Sequence, residues 1–312
     1  MFWALLSGHC LRRLSDAPMD TGKIGMSLLK NSSFILVLSI LFGFIWPEPA
    51  RSSEILITPV LMLMMTFSLT DVNLSAMTLG QGSLRNSILG LALNYGLLSG
   101  LILLLSYNLE DEALRQGFIV MAAVPPAIAV LPMTRTLLGD VSLSLYSEAV
   151  SYLASLVLMP AIIYAFTRQT GISLIYLVQM SLLLILLPAL ASRVVRSLSI
   201  DPVLPINLGF FLVTYTVIGL NQGALWGNIG SVSWIALART LGIGAAIYAA
   251  ASLTGQDRSH AISYTLLGSY KNLGLAAVVS LTLFGPEAGI PAAFSVLAET
   301  GFFILLSIAK PR

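Results

Sequence analysis

Charge is scarce in this chain. Lys, Arg, Asp and Glu make up 10% of its 312 residues, where soluble domains carry about 25%. A formal net charge of +2 offers no basic surface of the kind nucleic acid needs. Cysteine is nearly absent, and Cys10 alone can form neither an intrachain disulfide nor a Cys-built metal site. The two histidines, His9 and His260, lie outside the long apolar runs, so no histidine metal centre is expected within them. There is no HExxH, and Asp140 has no partner aspartate in an apolar run. The nucleophile–base pairs, metal sites and paired aspartates of membrane-embedded enzymes are thus missing. A non-enzyme without cofactor or metal is expected.

What is abundant is apolar side chain, 57% of residues, with a mean hydropathy of +0.90. No soluble core could hide this much, so lipid must solvate much of the surface. Apolar runs occur at 31–47, 54–70, 86–108, 115–138, 142–167, 173–195, 203–222, 231–253, 260–284 and 287–309. Most approach the roughly 20 residues that a bilayer span needs. The expected fold is an all-α polytopic membrane protein with ten transmembrane helices. Residues 1–30 read as a polar N-terminal tail; its short apolar stretch precedes Arg12 and Arg13, the reverse of a secretory signal. An even number of spans puts both termini on one side. Of the basic residues in the connecting loops, only Arg51, Arg115 and Arg168 fall on the other side. Both termini are therefore expected in the cytoplasm, with a bacterial inner (plasma) membrane as the location.

Ten spans divide into two five-helix inverted repeats, 31–167 and 168–312, a common transporter plan. The fourth run, GFIVMAAVPPAIAVLPMTRTLLGD, carries Pro125, Pro126 and Pro132. Proline removes a backbone donor and clashes with the preceding turn, so this helix must break. The ninth run, AISYTLLGSYKNLGLAAVVSLTLFGP, clusters Gly268, Lys271, Asn272 and Gly274 midway. An offset of 146 residues places Pro125 on Lys271 and Gly139 on Gly285. Interruptions at matching positions of two halves point to a binding site near the midplane, with Pro125, Pro126 and Tyr270 beside the breaks. Prolines also kink membrane helices for no functional reason.

Four ionisable residues fall deep in the runs: Glu148, Arg239, Lys271 and Glu299, roughly 10 to 18 Å from a span end at 1.5 Å per residue. Each costs about 3 kcal/mol or more to insert, so such residues pair, line water or act. Two positive and two negative charges allow two neutralising pairs without saying which; salt bridges between packed helices are the plain alternative. Among the short polar residues of the sixth and seventh runs, Thr216 and Asn221 are candidates to line a substrate path, although such residues also act as interhelical glue.

The fourth and fifth runs (GFIVMAAVPPAIAVLPMTRTLLGDVSLSLYSEAVSYLASLVLMPAIIYAF), the stretch YKNLGLAAVVSLTLFGPEAGIPAA and the earlier PVLMLMMTFSLTDVNLS together resemble the bile acid:sodium symporter family. That family is part of the bile/arsenite/riboflavin transporter superfamily. The resemblance implies a core of the third, fourth, fifth, eighth, ninth and tenth helices and a panel of the first, second, sixth and seventh. The fourth and ninth helices would cross where they unwind, and a small organic anion would bind between panel and core. Alternating access would move it across the lipid bilayer, commonly with sodium.

The departures from that pattern are informative. A Ser-Asn pair of the family's sodium site falls on Val130 and Leu131. A serine ligand persists as Ser144, but a threonine one turn on has become Glu148. The family's Glu and Gln in the ninth helix fall on Leu267 and Lys271; Asn272 persists, and a Gln of the third helix corresponds to Asn94. Hard cations want several oxygens in close array, and these changes remove them while adding an ammonium. The resemblance so amended implies a lost sodium site, with Lys271 standing in for the ion and Glu148 as its counter-charge. That pair could carry a proton, and Lys271 could also attract the anion. The function expected is sodium-independent transport of a small organic anion. The alternatives are a sodium-coupled symporter of the same fold and a membrane sensor with a degenerate site. An arsenite carrier would need a membrane thiolate, which Cys10 in the tail cannot supply.

Overall fold

The computed structural model describes residue 26 and residues 28–71, 81–167, 173–198 and 200–308. Those residues form helices, numbered here in chain order. They are α1 (Ser32–Ile45), α2 (Ala50–Ser68), α3 (Leu84–Ser106), α4 (Glu112–Ala123), α5 (Val130–Leu137) and α6 (Val141–Phe166). Then follow α7 (Leu174–Arg196), α8 (Val203–Leu220), α9 (Gln222–Leu237, continued to Leu253), α10 (Arg258–Ser269), α11 (Leu273–Phe284) and α12 (Pro286–Ile308). The expected tail lies outside the described residues up to position 25.

Short polar residues open these helices. Asn31, Asp111, Asp140, Ser173, Asp257 and Asn272 each accept a backbone N–H from the first turn of α1, α4, α6, α7, α10 and α11. Each satisfies a donor that the helix itself leaves orphaned. The helix from Glu112 stops at Ala123 because Pro125 and Pro126 follow, and Val124 is already extended. The stop at Ser269 precedes no proline; there Tyr270 turns extended and Asn272 starts a new helix.

Eight helices among the described residues are long and apolar enough to cross a bilayer. That is fewer than the ten runs because 31–47 yields only the 14-residue α1 and 115–138 is divided between α4 and α5. Large apolar side chains such as Ile45, Ile55, Leu104, Val157 and Leu253 are exposed, as a lipid-facing surface requires. This is a multi-pass integral membrane protein.

Two packing groups form. In one, α8 lies against α1 and α2, and α7 lies against α2. In the other, α4 packs on α3, α6, α11 and α12, while α10 packs on α3, α5, α6 and α9. The span made by α10 and α11 is 83% buried, against 28–50% for the other seven, so it runs through the middle of the second group. Gly117 of α4 allows that density: a Cβ there would stand 2.2 Å from the Ala288 carbonyl oxygen. Among the described residues, three π-helical stretches interrupt the longer helices, at Ala92–Leu98, Leu182–Leu186 and Ala238–Gly242. The first holds Asn94 and the third holds Arg239.

Candidate functional site

The two breaks touch. The Asn272 N–H donates to the Pro125 carbonyl at 2.9 Å, so the interruption between α10 and α11 lies directly on the one between α4 and α5. Prolines prepare this contact. In an unbroken helix the Ala122 carbonyl would accept the N–H of residue 126, and Pro126 has none.

Lys271 fills the gap. Its Nζ donates to Asn94 Oδ1 at 2.8 Å, Ser99 Oγ at 2.9 Å, the Val124 carbonyl at 2.9 Å and the Ala122 carbonyl at 3.0 Å. It also stands 4.5 Å from the centre of the Tyr95 ring, within range of a cation–π interaction. The residue is fully buried. An ammonium has three donors, so four oxygens use all of them and none is left for a bound anion. Charge-assisted hydrogen bonds of about 1.5–3 kcal/mol each are together of the same order as the several kcal/mol needed to bury an ion.

Asn94 joins the breaks from the side. Its Nδ2 donates to the Leu267 and Tyr270 carbonyls, the free C-terminal end of α10, while its Oδ1 receives Lys271. Asn272 caps α11 through Leu275 N and gives its Nδ2 to Tyr152 Oη at 3.0 Å and to Met65 Sδ at 3.3 Å. Tyr152 in turn donates to the Pro126 carbonyl. Tyr270 lies beside the cage, its hydroxyl donating to the Glu299 carbonyl.

The buried charges pair differently from the expectation. Arg239 Nη1 meets Glu299 Oε1 at 2.8 Å, and the same oxygen receives the Lys271 backbone N–H at 3.1 Å. Glu148 is not among the oxygens around Lys271 Nζ, so it is not the counter-charge of that ammonium; proline-freed carbonyls take the part assigned to it. Glu148 is 3% exposed, and its Oε1 has no hydrogen-bond partner. Ser144 shares a hydrogen bond with Thr134 across α5 and α6, away from the ammonium. Thr216 bonds Leu212 O and Ser53, and Asn221 bonds the Val217 and Pro286 carbonyls, which places both as links between helices. Ser99 and Tyr95 were not foreseen. Ser99 lies five residues beyond Asn94, a spacing that turns away from it on an α-helix; the π-helical stretch Ala92–Leu98 brings the two together, so the spacing carried no signal.

A cavity of about 250 Å³ lies against the crossing. The first packing group supplies Leu61, Met64, Met65 and Phe210, and the second supplies Ile128, Asn272, Gly274 and Phe303. The wall is mostly apolar, as small-molecule pockets are.

Residues 32–297 match the SBF-like CPA transporter family. The chain belongs to that family. No curated protein matches the chain. Membership of the SBF-like CPA transporter family makes this a membrane transporter by kinship.

Proposed function

We propose that the protein is a secondary transporter of a small organic anion, independent of sodium and working by alternating access. Lys271 carries this reading: its ammonium occupies an array of four oxygens, from Asn94, Ser99, Ala122 and Val124, at 2.8–3.0 Å. Such an array of carbonyl, amide and hydroxyl oxygens between two broken helices is what a hard cation would otherwise coordinate. The tethered charge cannot leave, so this array keeps its positive charge through the cycle without taking up a metal cation. Ten spans in two inverted five-helix repeats, 31–167 and 168–312, suit the position of the breaks. The group of α1, α2, α7 and α8 serves as panel and the remainder as core, with both termini in the cytoplasm.

Because Lys271 has no free donor, the anion would meet the cavity differently. Leu273 and Gly274, the first residues of α11, line it, and the N-terminal end of a helix is favourable for negative charge. The apolar wall would hold the body of the substrate.

The test is direct. Full-length protein in nanodiscs is melted in sodium chloride and in potassium chloride of equal ionic strength. A ligand that binds only the folded state raises stability by mass action, so equal melting temperatures are expected. A rise specific to sodium would overturn the reading. In proteoliposomes, uptake of radiolabelled small carboxylates should be the same with and without a sodium gradient and lost in Lys271→Gln.

A further inference from the structure

Glu148 has a cavity of its own. It lines a space of about 230 Å³ bounded by α6 on one side and, on the other, by α7 and the turn that follows α2, with Leu69, Leu153, Leu156 and Ile185 as walls. This is again a seam between the two packing groups, but with neither Lys271 nor Asn94 in its lining. The carboxyl is almost completely buried with Oε1 unpartnered. Its electrostatic neighbours include the backbone N–H of Leu131, in the first turn of α5, and Arg135. Tyr152, one turn along α6, has its hydroxyl committed to Asn272 and Pro126. Arg193 and Arg196 of α7 line the cavity with exposed side chains, and Tyr95 faces α6 from α3.

We propose that Glu148 takes up and releases a proton in this cavity, making it the coupling-ion site of the transporter. The claim rests on the reading of the protein as a sodium-independent carrier and supplies the ion that drives it. A metal ion would need several oxygens, whereas the walls are apolar and Arg193 and Arg196 oppose its entry. A proton needs no coordination shell. A carboxylate with a vacant lone pair in apolar surroundings is costly, and protonation removes the charge. When the panel moves away from α6, water enters the seam and the carboxyl O–H bond breaks. The proton passes to that water, and the Leu131 N–H and Arg135 face the carboxylate left behind. On closure the carboxylate takes a proton from water and is again neutral.

Infrared difference spectra of the full-length protein in nanodiscs test this. Wild type minus Glu148→Gln should show a carboxylic-acid C=O band that fades between about pH 5 and about pH 9, the range between ordinary carboxyl and amine titration. Glutamine has the shape of the protonated acid, so the variant should fold, which a melting curve checks. Absence of the band, or a band constant across that range, overturns the proposal. The same spectra taken in sodium and in potassium separate the two claims. A sodium-specific shift of the band would remove sodium independence while leaving the proton site standing.

Discussion

At the scale of single residues, Pro126 and Lys271 are complementary. One withdraws a hydrogen-bond donor from the Ala122 carbonyl, and the other, 145 positions later in the chain, returns one from a side chain. Replacing Lys271 by methionine keeps the bulk and removes the donors. Asn94 Oδ1 and the Val124 carbonyl then lose their bond to Nζ in a buried site, while Ser99 still serves Ala122. At about 1–3 kcal/mol for each buried group left unsatisfied, a loss of about 2–6 kcal/mol is expected. Chemical unfolding in detergent would measure it, and an unchanged midpoint would mean that the cage has no energetic weight. The Arg239–Glu299 pair behaves differently, because each partner is the other's compensation. Arg239→Met or Glu299→Gln alone should cost about 3–5 kcal/mol by leaving an uncompensated buried charge, while the double variant should be far less damaged. A double-mutant cycle on unfolding free energies reads the coupling; additive losses would show that the 2.8 Å contact is incidental.

At the scale of elements, much was legible. Each of the ten apolar runs corresponds to one helix or one broken pair, because hydrophobic length is a strong signal and needs no tertiary information. The break after Ala123 was readable from Pro125 and Pro126, since proline acts locally. The break at Lys271 was suggested only by glycines and polar residues, because its cause is tertiary: Asn94 takes the α10 carbonyls and Pro125 takes the Asn272 N–H. The balance of two cations and two anions in apolar runs left their pairing open, and the resemblance that put Glu148 beside Lys271 carried no information on the carbonyls that the breaks free. The π-helical stretches that carry Asn94 and Arg239 leave no clear sequence mark. Capping is local: the part that Asp140 plays for α6 repeats at Asp257, which accepts His260 N and contacts the His260 ring at the start of α10. These hydrogen bonds hold the Asp257 carboxyl down to about 2 from its ordinary 3.8. A depressed folded value contributes stability above the unfolded value and loses it as pH falls through the folded one. The melting temperature of wild type should therefore exceed that of Asp257→Ala at neutral pH. The gap should close between about pH 4 and about pH 2, and a gap constant with pH would contradict the capping role of the charge.

At the scale of the whole molecule, the proposed alternating access requires the two packing groups to move as bodies. Both cavities lie between them, one beside the Lys271 cage and one beside Glu148, so a single displacement would alter both. Among the described residues, the hydrogen bonds across the seam are few: Asn272 reaches Met65, Asn221 reaches Pro286, and Gln222 reaches the Phe44 carbonyl. Apolar contacts slide at smaller cost than interlocked charges, while the breaks, the cage and the Arg239–Glu299 pair all lie on the core side and should travel together. A second conformation a few kcal/mol away would be populated at about 0.1–10%, which single-molecule energy transfer can detect. Dyes on Val194→Cys in α7 and Leu253→Cys in α9, both exposed, report across the seam. Dyes on Val157→Cys in α6 and Leu253→Cys report within the core. Cys10 is the single native cysteine, so its replacement makes the labelling unambiguous. The first pair should exchange between two transfer levels and the second should hold one. A single level for both pairs would identify a rigid protein that senses or binds without carrying, and exchange in both would mean that the core is not the moving unit.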